Sequence, residues 1–75
     1  MNYRITDSAS DLCKGFHPTQ VCFFVMSDRT QDAVVTEVHI SADTAKRHAR
    51  AYGSVCRVGR LAGSREQGTL HAETI

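Results

Sequence analysis

"VVTEVHISADTAKRHARAYGSVCRVGRL", residues 34–61, decides the fold. Its first residues are β-branched and mostly alternate apolar with polar, the period of a strand with one covered face. On that count Val34, Val38 and Ile40 line a core face with Thr36, while Glu37 and His39 point outward beside Val35. The period then changes. Ser41 stands where a helix needs a cap, Asp43 lies where the dipole favours an acid, and Gly53 suits a left-handed exit, so 41–53 reads as a helix. At about 100° per residue, Ala42, Ala45, Ala49 and Tyr52 share one arc, with His48 at its edge. Tyr52 is expected to anchor that arc in the core. Lys46, Arg47 and Arg50 share the opposite arc with Asp43. Residues 55–61 return as a strand without strict alternation, and Gly59 is expected to mark a bulge that changes which side faces inward.

The flanks extend this unit. "NYRIT" (2–6) alternates as a short first strand, and "DSASDLCKG" (7–15) allows a helical turn with Asp7 or Ser8 as cap and Gly15 as stop. "HPTQ" (17–20) reads as a turn, because Pro18 drives His17 out of helical geometry. "VCFFVMS" (21–27) is the clearest strand, apolar on both faces, so that something must cover each of them. "DRTQDA" (28–33) is a polar hairpin connection, and "GTLHAETI" (68–75) pairs back on 54–63 as a second hairpin. The expectation is one α+β domain, residues 1–75, with a mostly antiparallel sheet of four to five strands and one main helix packed on one face.

Composition narrows the class. The chain has 75 residues and formal net charge +1, and its longest apolar run, "VCFFVM", is too short to span a bilayer. Cys13, Cys22 and Cys56 are odd in number with no secretory segment before them, which fits reduced thiols and a cytoplasmic location. Charge is unevenly spread. Residues 46–65 carry Lys46, Arg47, Arg50, Arg57, Arg60 and Arg65 without an acid, whereas residues 1–43 carry six acids against three bases. Such asymmetry points to an anionic partner.

Candidate chemistry is sparse. Cys13, His17 and Cys22 give C-x3-H-x4-C, but the C-x2-C pair of small zinc domains is missing, and Cys22 lies in an apolar strand where free cysteine packs as a small hydrophobe. No metal and no cofactor is expected. No nucleophile elbow, paired carboxylate or phosphate-binding glycine loop is present, so no catalytic residue is assigned. The residues chosen for partner or nucleic-acid binding are Lys46, Arg47, Arg50, Arg57 and Arg60. Arg57 and Arg60 have opposite parity in a regular strand, and only a bulge at Gly59 would bring them to one side.

The strand–helix–strand of residues 34–61, in which a β-strand runs into a short Ala/Lys/Arg helix and back into the sheet, resembles that of small phage-encoded proteins, including some anti-CRISPR proteins. The resemblance implies a stand-alone, non-enzymatic phage or mobile-element protein. Its expected action is to dock on a CRISPR effector complex in the host cytoplasm and block target nucleic-acid engagement. Near-neutral net charge separates this chain from the strongly acidic members that mimic DNA. The alternative is a small nucleic-acid-binding protein using the basic helix and the strand after it. A homodimer is a further expectation, since it would cover the second apolar face of 21–27.

Overall fold

The computed structural model describes residues 2–17, 19–27 and 33–75. Pro18 and most of the connection expected at 28–33 lie outside the described residues. The chain runs β1 (Asn2–Ile5), α1 (Asp7–Leu12), β2 (Val21–Met26), β3 (Val34–His39), α2 (Ala42–Ala51), β4 (Val55–Ala62) and β5 (His71–Thr74). The strands form a closed barrel in the order β1-β3-β2-β4-β5. Four seams are antiparallel, but β1 runs parallel to β3, with Arg4 opposite Val34 and Ile5 opposite Val35. The sheet is thus mostly antiparallel, as expected, but it is mixed through this one parallel seam and closes into a barrel. The cause lies in β1, which pairs with both β3 and β5 and closes the cylinder. Closure leaves no described strand with an unpaired edge.

Two apolar layers share β2. Cys22, Phe24 and Met26 face the barrel interior with Val35, Val38 and Ala72, and α1 lays Ala9 and Cys13 against the same core. Val25 faces the other way, onto Ala45 and Ala49 of α2, with Phe23 and Cys56 beside it. The two-sided strand is thus covered from within the chain, by the barrel on one side and the helix on the other. Alanines at the contact let α2 sit close to the sheet.

Local signals explain both helices. The Ser41 hydroxyl accepts from the Thr44 amide (3.4 Å), as expected of a cap. At the far end Gly53 adopts φ +66°, and the Ser54 amide reaches the Ala49 carbonyl (2.7 Å), the closing bond of a Schellman turn. Tyr52 departs from its expected place. It is the C-cap, where the chain leaves helical geometry, and its side chain is 74% exposed instead of anchoring the core. In α1 the cap is Thr6, one residue before Asp7, and its hydroxyl accepts from Ala9 (3.2 Å).

The bulge lies in β3, not at Gly59. Val25 pairs with Glu37 and Met26 with Val35, so Thr36 is the extra residue, and its hydroxyl donates to the Val25 carbonyl (3.2 Å). Val35 and Val38 therefore both point inward, where strict alternation would have placed Val34, Thr36 and Val38. Ile40 falls beyond the strand and is 62% exposed rather than core. Across β4 the register with β2 runs unbroken from Val21↔Arg60 to Met26↔Val55.

Two thiols belong to the core. The Cys13 Sγ donates to the Ala9 carbonyl (3.1 Å) and the Cys22 Sγ lies 3.6 Å from that of Gly59. Burial pushes the Cys22 thiol up to about 11, helped by Cys13, and raises Cys13 against the pull of Arg65. The thiolate is the reactive form, so half-buried Cys56 is expected to be alkylated first in the native protein near pH 8. Peptide mapping after brief iodoacetamide treatment checks this; Cys22 labelled as fast as Cys56 would contradict the core assignment.

Candidate functional site

Two polar features meet on α2. The first is its outer face, where Lys46, Arg47 and Arg50 are exposed and make no ion pair among those found in the described residues. Asp43 sits on the same arc one turn earlier, near the amino end. The remaining bases of the set stand on β4. Arg60 lies opposite Glu73 on β5 and donates from Nε to the Thr19 carbonyl (3.1 Å). Arg57 donates to the carbonyl of its neighbour Cys56 (3.3 Å). With no bulge at Gly59, Arg57 keeps the parity of Gly59 and Leu61, while Arg60 keeps that of Cys56 and Val58, the side on which α2 rests. Arg65 pairs with Asp11 (2.5 Å). Three of the five bases thus share the free face of α2, and the other two stand on opposite faces of β4.

The second feature lies beneath α2. Glu37 and His39 flank inward-facing Val38 and so take the outer face of β3, as alternation predicts, opposite Val25 and Phe23, and α2 brings His48 over them. Glu37 Oε1 accepts from His39 Nε2 (2.8 Å) and from His48 Nδ1 (2.7 Å). A carboxylate can only accept, so each of these nitrogens carries its proton. The imidazoles meet edge to face with centroids 5.0 Å apart. Alternation alone puts Glu37 and His39 on one face and His48 at the helix edge, but not together. The available signal was the two-residue link Ile40–Ser41, too short to carry the helix anywhere but back over the strand it leaves. The spacing Cys13–His17–Cys22 gathers no such group. Cys13 and Cys22 are in the core, and the exposed His17 ring accepts from the Thr19 amide (3.3 Å).

The hydrogen bond from His48 holds the Glu37 carboxyl below the usual carboxylate range, outweighing the opposing effect of burial, and the bond from His39 adds to it. Folding therefore gains from ionised Glu37 at and above the usual carboxylate range and loses the gain as pH falls below that range, through the lowered value. With a chelator present, the difference in urea midpoint between wild type and Glu37→Gln should narrow as pH is lowered from neutral to below the usual carboxylate range. A constant difference would show that the histidines do not favour the charged form.

No known protein family, curated protein or solved structure matches this chain. Among the described residues no helix is long and apolar enough to cross a membrane. Fold and surface together define a small α+β barrel carrying one outer helix, basic on its free face and tied beneath to β3 through Glu37.

Proposed function

We propose that the chain is a non-enzymatic binding protein that meets an anionic surface of a larger assembly through the free face of α2. The observation that carries this reading is the group Lys46, Arg47 and Arg50, exposed together on a helix whose other side is held to the barrel by Ala45 and Ala49. A helix so fixed presents its charges without further ordering, which lowers the cost of association. In its most specific form the protein is an anti-CRISPR inhibitor that docks on a CRISPR effector complex and blocks target engagement; this form rests on the resemblance of residues 34–61. Pull-down against purified effector complexes, with wild type and a Lys46→Ala/Arg47→Ala/Arg50→Ala variant, tests it. Capture of an effector by wild type and its loss in the variant is the expected result. No capture by any effector, with interference intact, would end the anti-CRISPR form.

A second reading, a small nucleic-acid-binding protein, is favoured by the run of six bases without an acid across residues 46–65. Three phosphate contacts on α2 would give a log–log salt slope of about −2 to −3. Titration of DNA and RNA at two salt concentrations separates the readings, since docking on an acidic protein surface predicts no retained nucleic acid.

A further inference from the structure

We infer that Glu37, His39 and His48 form a site for a divalent first-row transition-metal ion, with Zn2+ the ion whose chemistry the donors suit. Each residue offers one ligand atom, and the three atoms lie within 4.8 Å of one another. Two imidazole nitrogens and one carboxylate oxygen make the three-ligand set that leaves a fourth position of a tetrahedral Zn2+ to water. Ligands about 2.0–2.1 Å from such an ion stand roughly 3.3 Å apart. The bonds of 2.7 and 2.8 Å therefore open by about half an ångström as Oε1 draws back, and the two imidazole nitrogens, within 4.8 Å of each other, close onto the ion by rotation about the histidine torsions.

The ligands stand on rigid elements. Glu37 and His39 are two residues apart on one face of β3, and His48 lies between Ala45 and Ala49, which fix α2 to the barrel. His48 is 40% exposed at its side chain, so an ion can enter from solvent. Proton balance is simple. In the metal-free state the proton sits on His48 Nδ1 and His39 Nε2; on binding it moves through solvent to the other ring nitrogen, freeing the lone pair that faces the ion. One helix–strand hydrogen bond, from His48, and one within β3, from His39, give way to three metal–ligand bonds, and the ion ties α2 to β3.

The test is titration of the chelator-stripped full chain with Co2+, followed by Zn2+. One Co2+ per chain should produce the visible absorption of a tetrahedral centre without a thiolate charge-transfer band, and one equivalent of Zn2+ should bleach it. Histidine 15N spectra should show His48 coordinated through Nδ1 and His39 through Nε2. Glu37→Gln and His48→Gln should each weaken binding by about 100-fold, since even partners outside the ligand set commonly cost 10- to 100-fold. Circular dichroism should show both variants still folded, and a His17→Gln/His71→Gln double variant should bind as wild type does. Absence of saturable binding, binding unchanged in His48→Gln, binding lost in the His17/His71 variant, or a thiolate band would each overturn the assignment and leave a hydrogen-bonded cluster only.

Discussion

Gly59→Ala is expected to cost about 3 kcal/mol or more, a large share of the roughly 5–10 kcal/mol available to a domain of this size. Gly59 is buried inside the barrel at the β4–β5 seam. A Cβ there would collide with the Glu73 carbonyl oxygen and stand 2.7 Å from Phe24 Cε2. The nearer obstacle is backbone, which yields only by parting the two strands. Thermal unfolding should show a Tm lowered by roughly 12–24 °C, at about 4–8 °C per kcal/mol. The backbone origin makes a second, sharper expectation. Phe24→Leu clears the ring but not the carbonyl, so the double variant should keep most of the Gly59→Ala cost. Full rescue by Phe24→Leu would place the obstruction in the ring instead.

Phe24→Ala is expected to cost about 3–5 kcal/mol, through lost burial and the cavity left behind. Phe24 is fully buried and among the largest such side chains, packed with Cys22, Met26, Val35, Val38 and Ala72. The loss should spread beyond the barrel, because α2 rests on Val25, the next residue of the same strand. Urea unfolding followed separately by far-ultraviolet circular dichroism and by histidine resonances should therefore show barrel and helix failing together. A helix that persists past loss of the barrel would mean that the two layers are energetically separate.

What the chain reveals without its structure depends on how local each device is. The main helix is legible because Ser41, Asp43 and Gly53 act within a turn of its ends. The central strand is legible because "VCFFVM" has no other economical use. The parallel seam is not, since four residues of β1 carry no mark of which distant strand they will join. Gly59 carries an ambiguous mark: glycine in a strand signals either a bulge or a close approach, and here the approach of Glu73 and Phe24 is the reason. Thr36 carries none, because threonine is an ordinary strand residue and its extra place shows only in the pairing with β2. Among the candidate binding residues, helical periodicity suffices for Lys46, Arg47 and Arg50. Arg57 and Arg60 depended on a bulge that formed elsewhere.

The kink at Thr36 divides β3 into two lengths with different duties. Val34 and Val35 seal the cylinder against β1, whereas Glu37 and His39 belong to the polar trio under the helix. A single spare residue between them works as an expansion joint. Sequence change along the seal need not be transmitted to the trio, and the trio can be retuned without breaching the seal. The protein thus holds two independently variable traits on one six-residue strand, a separation that would let its surface chemistry diverge faster than its fold.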